Sequence, residues 1–469
     1  MTVKPTMANN PVANRDTIVA PATVPGRSAL AVVRMSGIGA LEIAAAHVDP
    51  WLPEPRIARL CRLRDREQGK ILDQAIVTVF VAPDSFTGEH VVEISTHGGH
   101  YTQARVMTAL VSSGARPALP GEFTRRAVMN GKLDITQAEA IVDLIDARSS
   151  AAHKAAINQL DGGLSRRIAA LRDWVIGIES LIAYDIDFPD EDDGSLPRQR
   201  VSDAAAELGL SLDSLLATVP GAEIVREGAV VVIAGKSNVG KSSLFNALLG
   251  ESRAIVTDIP GTTRDAIEGR LETSHWPVRL VDTAGLRETQ DTVERLGIEV
   301  SEHYLSEAHL ILACGENEEL IRSAVEAVRT KSSRTIIEVR TKGDLVTDGE
   351  VTDQTSGKGT LFIPQVVVSA ESGKGLDLLL ESIDKALISE IGSPVAEYPG
   401  LTRERHVYGI RQARNELADF CQVWEEAVLP APVAAVHLRS AAQALEELIG
   451  AVSADDILDR VFSSFCVGK

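Results

Sequence analysis

The sequence predicts a multidomain protein in which an α/β domain interrupts a helical domain, after a separate N-terminal α/β domain. At 469 residues the chain is too long for a single hydrophobic core and suggests about three domains. Residues 16–120 mix short apolar runs with Gly and Pro turns, whereas helical patterning occupies 136–184 and returns after about 385. Between the helical blocks, apolar runs alternate with helical segments, which is typical of a parallel sheet with crossover helices.

The individual elements follow from these patterns. In the N-terminal part the strand-like runs are 29–35, 75–81 and 91–95. A capping-box spacing between Thr136 and Glu139 marks the start of the helical block. The inserted part has its apolar runs at 230–234, 278–281, 310–313, 336–339 and 366–368. We therefore predict an N-terminal domain over 14–130, a helical domain over 131–222 and 387–469, and an α/β domain over 223–386.

Composition and charge limit the class of protein. Hydrophobic residues make up 44% of the chain and charged residues 24%, which is ordinary for a globular protein. The formal net charge of −19 repels phosphate backbones at long range, so any RNA contact needs a local basic surface. No apolar run approaches the ~20 residues that cross a bilayer, and the scattered cysteines form neither a disulfide framework nor a zinc pair. We expect a cytoplasmic protein that does not bind a membrane.

One segment offers a local basic surface. Its cations are Arg56, Arg59, Arg62, Arg64, Arg66 and Lys70. The alternation R-L-C-R-L-R within it also fits the solvent face of an ordinary strand. We favour the strand, and the RNA contact remains the alternative.

A phosphate-binding loop follows the first strand of the inserted domain. Residues 235–242, GKSNVGKS, fit G-x-x-x-x-G-K-[ST], with the apolar run VVVIA before them and the helical segment SSLFNALL overlapping their end. The glycines let backbone N–H groups wrap phosphates at a helix N-terminus. We expect Lys241 to hold the β- and γ-phosphates and the Ser242 hydroxyl to ligate Mg²⁺.

Two further motifs complete a nucleotide site. Asp282 opens D-T-A-G after an apolar run, where its carboxylate can reach the Mg²⁺ shell and the Gly285 N–H can sense the γ-phosphate. Asp344 closes T-K-G-D, and its carboxylate can accept the N1–H and 2-amino donors of guanine, which adenine lacks. The sequence therefore predicts GTP rather than ATP as the nucleotide.

Beyond these motifs, the chain resembles the MnmE (TrmE) family of tRNA-modification GTPases over nearly its whole length. The segments that carry the resemblance are AIVTDIPGTTRD at 254–265, DTAGLRE at 282–288, FSSFCVGK at 462–469, RMSG at 34–37, FTGE at 86–89, HGG at 97–99, PGEFT at 120–124, NGKLD at 130–134 and DFPD at 187–190. The resemblance implies a Ras-like P-loop GTPase domain inserted in a helical domain, with an N-terminal α/β folate-binding and dimerisation domain.

The motifs and the resemblance together give the expected GTP-binding residues. They are Asn238, Val239, Gly240, Lys241, Ser242, Ser243, Thr257, Asp258, Ile259, Pro260, Gly261, Thr262, Thr263, Asp282, Thr283, Ala284, Gly285, Thr341, Lys342, Gly343, Asp344, Ser369, Ala370 and Glu371. Thr341 stands where the family usually has Asn, and its hydroxyl is expected to tie the base pocket to the phosphate loop.

Hydrolysis needs a device other than the glutamine of Ras-like proteins, because Leu286 follows the D-T-A-G glycine. The resemblance implies a K⁺ ion whose charge beside the β–γ bridge replaces an arginine finger. Its implied ligands are the Asn238 side chain and main-chain oxygens of Thr257, Ile259 and Thr262.

The same resemblance implies two more roles near the phosphates. Thr263 would join Ser242 at Mg²⁺. Glu294 would position the attacking water, so Glu294, Lys241 and Asn238 form the expected catalytic set. From the residues alone, Glu294 reads as a solvated carboxylate on a helix.

The resemblance also implies a pocket for a 5,10-methylene- or 5-formyl-tetrahydrofolate donor in the N-terminal domain. Its implied residues are Arg34, Glu93, Lys132 and the terminal Lys469. Glu93 would pair with pterin N–H donors, and the cations would meet carboxylates or carbonyls. Without the resemblance, Glu93 and Lys132 read as surface residues. Cys466 takes part in the chemistry or is a small apolar residue before a docking tail.

The partners follow from the family as well. It implies a homodimer that works with the FAD- and NADH-dependent protein MnmG to add an aminomethyl or carboxymethylaminomethyl group at C5 of the wobble uridine of certain tRNAs. GTP hydrolysis would drive cycling of the GTPase domains. The alternatives are a GTPase switch in ribosome assembly and a folate-dependent methyltransferase that retains a nucleotide switch.

Overall fold

The computed structural model describes residues 16–24, 26–51, 54–66, 69–147, 149–187, 198–251, 267–282, 304–345, 365–391, 400–426, 431–450 and 468. The chain divides into two compact units. One is formed by Met1–Val142 with Ile449–Lys469, and the other by Asp143–Leu448.

The first unit is built on a seven-stranded sheet within the described residues, in the order β3-β4-β5-β6-β2-β1-β7. Neighbouring strands are antiparallel except for β1 and β7. Its strands are β1 (Thr17–Pro21), β2 (Leu30–Ser36), β3 (Val48–Asp49), β4 (Arg59–Arg64), β5 (Ile71–Phe80), β6 (Val91–His97) and β7 (Ala115–Pro117). Its helices are α1 (Ala40–Ala45), α2 (His100–Ser112) and α3 (Glu122–Met129), and α4 (Ile135–Asp146) carries the division between the units.

One face of this sheet is buried and the other carries polar side chains. Alternate residues such as Val33, Met35 and Ile94 pack against α1 and α2, together with Cys61. Since successive side chains of a strand point to opposite faces, their neighbours Arg34 and Glu93 lie on the other face. The R-L-C-R-L-R alternation is confirmed as a strand, β4, in which Cys61 and Leu63 are buried.

The second unit combines helices with a second sheet. Its first helices are α5 (Ser150–Leu160), α6 (Gly163–Asp187), α7 (Arg198–Leu216) and α8 (Val219–Glu227), and its last are α12 (Glu404–Glu426) and α13 (Ala431–Ile449). Helices α12 and α13 meet at Gly409, where a Cβ would lie 2.6 Å from the Leu448 side chain.

The second sheet has six strands among the described residues, in the order β13-β12-β11-β8-β10-β9. All neighbours are parallel except β9 and β10. Its strands are β8 (Ala229–Ala234), β9 (Ile267–Glu272), β10 (Pro277–Asp282), β11 (Leu310–Gly315), β12 (Ile336–Arg340) and β13 (Gln365–Val367). The helices that accompany it are α9 (Lys241–Glu251), α10 (Glu318–Arg329) and α11 (Leu376–Ile391).

Both faces of the second sheet are covered, as expected for parallel strands. Helices α9 and α11 pack on the face that holds Val231 and Cys314. Helix α10 packs on the opposite face through Ala324 and Val328. The continuous apolar runs predicted as strands of a parallel sheet are therefore confirmed.

The predicted domain limits remain predictions. The limit at 222 falls inside α8 and the limit at 386 inside α11, so neither coincides with the end of an element. The segment Arg198–Glu227 is long and apolar enough to cross a membrane by length and composition. In the structure this segment is two helices, and α7 packs against α6 and α12 through buried residues such as Leu208 and Leu212.

Candidate functional site

The phosphate loop lies between β8 and α9 and depends on residues that accept a positive φ. Gly235 has a φ of 151°, and a Cβ there would lie 2.5 Å from the carbonyl oxygen of Cys314. Asn238 and Gly240 have φ values of 64° and 90°. Glycine at 235 is thus required by both backbone conformation and space, and Asn238 is held exposed in the loop.

The two side chains expected at the phosphates meet polar partners at the end of the loop. Lys241 is buried, and its Nζ donates to the Lys236 carbonyl oxygen at 2.7 Å. The Ser242 hydroxyl donates to Asp282 Oδ2 at 2.7 Å. Asp282 is fully buried at the end of β10, which is parallel to β8. Hydroxyl and carboxylate oxygens at this spacing suit Mg²⁺, which prefers hard oxygen ligands.

The floor of the loop contains a thiol that stays uncharged. Cys314 is fully buried on β11, and this burial raises the pKa of its thiol to about 12. The residue therefore contributes packing and a backbone carbonyl rather than a nucleophile.

Thr341 ties the base-recognition segment to the phosphate loop. Its buried hydroxyl lies 2.5 Å from the carbonyl oxygen of Val239 and 3.2 Å from that of Gly315. Its own N–H donates to the same Gly315 oxygen at 2.9 Å. A threonine hydroxyl thus makes a link to the loop at the position where asparagine was the expected residue type.

The base-recognition residues lie in neighbouring loops after β12 and β13. Ser369 is buried, and its hydroxyl donates to Asp344 Oδ1 at 2.7 Å, while Asp344 itself is exposed. Lys342 has a φ of 55° and forms an ion pair with Glu316. The ion pair with Glu316 was not expected from the sequence, because an isolated glutamate after a strand gives no signal.

The polar face of the first sheet holds a second group of predicted residues. Arg34 on β2 and Glu93 on β6 are cross-strand partners, and Arg34 donates to Glu93 Oε1 from Nε at 2.9 Å and from Nη2 at 2.7 Å. The Arg34 guanidinium carbon lies 5.6 Å from the ring centroid of Phe86 and 5.9 Å from that of Phe123. These aromatic rings were not singled out as site residues in the sequence, where only their motifs were recognised.

Lys132 meets the loop that carries Phe86. Its Nζ donates to the Pro83 carbonyl oxygen at 3.1 Å. A Cβ at Gly88, which has a φ of 76°, would lie 3.3 Å from the Lys132 Cγ. The structure therefore brings Arg34 and Lys132 to a common loop, residues 81–90, and Glu93 is joined to Arg34.

The end of the chain belongs to the same unit. Gly468 has a φ of 102°, and a Cβ there would lie 2.0 Å from the Pro21 carbonyl oxygen. Pro21 on β1 pairs with Val33, the neighbour of Arg34. This close contact was not predicted, although a glycine next to the last residue is the kind of signal that a close backbone approach gives.

Several predicted site residues lie outside the described part of the chain. They are Thr257, Asp258, Ile259, Pro260, Gly261, Thr262, Thr263, Thr283, Ala284, Gly285, Glu294, Cys466 and Lys469. Their assignments remain predictions.

The fold and the nucleotide site define the class of protein. A largely parallel sheet, a phosphate loop between its strand β8 and helix α9, and an aspartate at the end of the neighbouring strand are the parts of a P-loop GTP hydrolase.

Two family models match the chain. The model described as the MnmE helical domain matches residues 135–466, and the model described as the GTP-binding protein TrmE N-terminus matches residues 17–132. The tRNA modification GTPase MnmE of Moorella thermoacetica is 41% identical over 467 residues, covering 97% of this chain and 99% of its own. The enzyme of the same name from Aquifex aeolicus is 39% identical, covering 97% of this chain and 100% of its own.

Among solved structures, the G domain of the T. maritima FeoB iron transporter is similar at 25% sequence identity. The match covers 34% of this chain and 98% of the FeoB chain. Its TM-score is 0.26, so this likeness adds nothing to the identification. The two family models and the relatives that match over their full length identify the family. The chain belongs to the MnmE family and is a tRNA modification GTPase.

Proposed function

We propose that this chain is a K⁺-dependent GTPase that acts with the protein MnmG on the wobble uridine of certain tRNAs. The pair adds an aminomethyl or carboxymethylaminomethyl group at C5, with a tetrahydrofolate as the one-carbon donor. GTP hydrolysis drives a conformational cycle of the GTPase domain and does not supply the carbon.

The observation that carries this proposal is the conformation of Asn238. The residue lies in the phosphate loop with a positive φ and an exposed position, next to the buried Lys241. A positive φ strains a non-glycine residue, though Asn tolerates it better than most, so the fold keeps an amide at this place at some cost. An amide oxygen is a hard ligand that suits an alkali cation.

The described contacts support two of the roles that we propose for the chain in hydrolysis. Lys241 exchanges its bond to the Lys236 carbonyl oxygen for the β- and γ-phosphates, and Ser242 and Asp282 hold the Mg²⁺ side of the nucleotide. The Asn238 side chain and main-chain oxygens of Thr257, Ile259 and Thr262 would hold the alkali ion, which would supply positive charge to offset the charge that develops on the phosphates. Glu294 orients the water, and Thr263 completes the Mg²⁺ site.

The remaining predicted residues bind guanine and the one-carbon donor. Asp344 accepts the guanine donors, supported by the hydroxyl of Ser369. Arg34, Glu93, Lys132 and Lys469 bind the tetrahydrofolate, which supplies the one-carbon unit. The contact of Gly468 with Pro21 supports this assignment, because it keeps the end of the chain in the same unit as Arg34.

We propose that the protein is a cytoplasmic homodimer that joins through its N-terminal domain and meets tRNA together with MnmG. The polar face of the first sheet also exposes apolar side chains that support such an interface. Leu60 and Ile76 oppose each other across β4 and β5, with 69% and 43% of their surfaces exposed, and Leu30 on β2 is 59% exposed. Exposed apolar surface such as the Leu60–Ile76 pair is typical of protein–protein contacts.

Comparison of K⁺ with Na⁺ tests the proposed mechanism. GTP turnover by the full-length chain is expected to be about ten-fold or more faster in KCl than in NaCl at equal ionic strength. Asn238→Ala removes the side-chain ligand and should abolish this difference while GTP still binds.

The matched control is Asn246→Ala, the same change on an exposed position of α9. It should keep the full preference for K⁺. Equal turnover in the two salts for the unaltered chain, or an unchanged preference in Asn238→Ala, would contradict the proposal.

A further inference from the structure

Resting on the proposed folate-binding role, we propose that Arg126 is a positioning residue for the tetrahydrofolate pocket. Arg126 joins α3, which carries Phe123, to the loop of residues 81–90, which carries Phe86. Through this junction it holds the two aromatic rings beside Arg34 and so fixes the Arg34–Glu93 pair for the ligand.

Arg126 lies at the centre of a buried cluster of carboxylates. Only 7% of its side chain is exposed. Its Nη1 lies 3.2 Å and 3.1 Å from the two carboxylate oxygens of Glu89, and its Nη2 donates to Asp16 Oδ1 at 2.7 Å and to Glu122 Oε1 at 3.0 Å. A buried guanidinium with this number of charge-assisted bonds has a fixed orientation.

The cluster keeps its charges in the folded protein. Burial by itself would raise the pKa of Glu122, but bonds from Arg116, the Leu119 N–H and Arg126 outweigh it and leave that pKa below its usual value. The same balance lowers the pKa of Asp16 through Arg116 and Arg126. Both carboxylates are therefore ionised at neutral pH and hold Arg126 in place.

Glu89 connects Arg126 to β2, the strand that carries Arg34. The Ser36 hydroxyl donates to Glu89 Oε2 at 2.7 Å and lies 2.7 Å from the Thr87 hydroxyl. Ser36 is two residues after Arg34 on β2, so both side chains are on the polar face of the sheet. The loop that carries Phe86 is thus fastened to β2 on one side and to α3 on the other.

The Arg34–Glu93 pair has hydrogen-bonding groups that its mutual bonds do not use. Both hydrogen bonds of Arg34 to Glu93 go to Oε1, and among the described residues no bond reaches Glu93 Oε2 or Arg34 Nη1. A flat heterocycle with adjacent N–H donors and a carbonyl oxygen matches these two free groups. A pterin has this pattern, and its binding depends on how well the two side chains are held.

Arg116 provides a matched control. It donates to Asp16 Oδ2 at 2.7 Å and to Glu122 Oε1 at 2.7 Å, so it shares two carboxylates with Arg126. None of its described bonds reaches Glu89. A change at Arg116 therefore disturbs the charge balance of the cluster without opening the junction between α3 and the Phe86 loop.

The test is a titration of the full-length chain with 5-formyltetrahydrofolate. Arg126→Gln is expected to weaken binding about ten-fold, whereas Arg116→Gln changes the dissociation constant by less than about two-fold. Arg126→Lys keeps the charge but cannot reach Asp16 and Glu89 together, so it should lose affinity while remaining folded. Thermal unfolding of each variant is measured beside the titration.

A double-mutant comparison separates positioning from general loss of stability. If Arg126 acts through the Phe86 loop, Arg126→Lys should cost little further affinity in a Phe86→Ala background. Additive losses, or equal losses in the Arg116 and Arg126 variants, would overturn the inference. Failure of the unaltered chain to bind the folate would instead overturn the proposed function on which the inference rests.

Discussion

At the scale of single residues, Thr341 shows how one hydroxyl can connect two loops of a site. Its side chain is small and has one donor, at the position where the resemblance implied asparagine. The hydroxyl still reaches the carbonyl oxygen of Val239 in the phosphate loop, and the residue's own N–H binds Gly315. The Thr341 hydroxyl therefore provides a side-chain link between the T-K-G-D segment and the phosphate loop.

This leads to a prediction for Thr341→Val, which keeps the shape and removes the hydroxyl. The buried Val239 carbonyl loses its side-chain partner, so the free energy of unfolding should fall by about 1–2 kcal/mol and GTP should bind several-fold more weakly. Urea denaturation and nucleotide titration measure the two effects. Thr341→Ser retains the hydroxyl and should behave almost as the unaltered chain, and equal behaviour of the two variants would contradict the assigned role.

At the scale of secondary structure elements, the hairpin of β9 and β10 is fastened to α11 by one carboxylate. The buried Asp384 accepts from the Thr273 hydroxyl, from the His275 N–H at 3.0 Å and from His275 Nδ1 at 2.6 Å. Burial would raise the pKa of Asp384, but these bonds outweigh it and lower the pKa below its ordinary value.

The sign of this shift predicts a pH-dependent stability. A carboxylate with a lowered folded-state pKa stabilises the protein fully above its unfolded pKa, about 3.8, and the contribution is lost as pH falls through the folded value. Asp384→Asn should therefore lower the free energy of unfolding by about 1–2 kcal/mol at pH 7, with a smaller difference in acid. Asp377→Asn, exposed on the same helix, is the control. A difference that persists unchanged in acid would count against the charged carboxylate.

The strands of the second sheet show which elements could be predicted from the sequence. The buried parallel strands were recognised because continuous apolar runs are typical of sheets covered on both faces, as β8 and β11 are. Strand β9, IEGRLE, was not recognised, since it has no apolar run and pairs only at the sheet edge. Its partner supplies the pairing, and that information is not local in sequence.

The candidate sites show the same limit. The phosphate loop and the guanine motif are local in sequence and could be found by their spacing. The cluster around Arg126 could not, because Asp16, Glu89 and Glu122 come from distant parts of the chain and meet only when the first sheet is formed. Considered alone, each charged residue of this cluster is typical of a protein surface.

At the scale of the whole molecule, the two ends of the chain contribute to one unit. Residues 449–469 group with residues 1–142, and Gly468 contacts the backbone of Pro21. The GTPase sheet belongs to the other unit, which spans Asp143–Leu448. Changes at the C-terminal tail should therefore separate the folate chemistry from nucleotide hydrolysis.

Gly468→Val tests this separation. The side chain would collide with the Pro21 carbonyl oxygen, and the positive φ is unfavourable for a β-branched residue. Folate binding and the modified wobble nucleosides of tRNA, measured by mass spectrometry in cells that carry only the variant, should be lost, while GTP turnover stays close to normal. Deletion of residues 465–469 should give the same pattern. Intact wobble modification in either variant would contradict the proposed role of the C-terminal tail.

The buried cysteines give the protein built-in reporters of local opening. Cys61 belongs to the core of the first sheet and Cys314 to that of the second, and burial raises the pKa of both thiols. A thiol-reactive dye can reach either sulfur only after the surrounding core separates. Single-cysteine variants would retain either Cys61 or Cys314. The order in which they incorporate the dye in mild denaturant would therefore show which of the two sheets opens first.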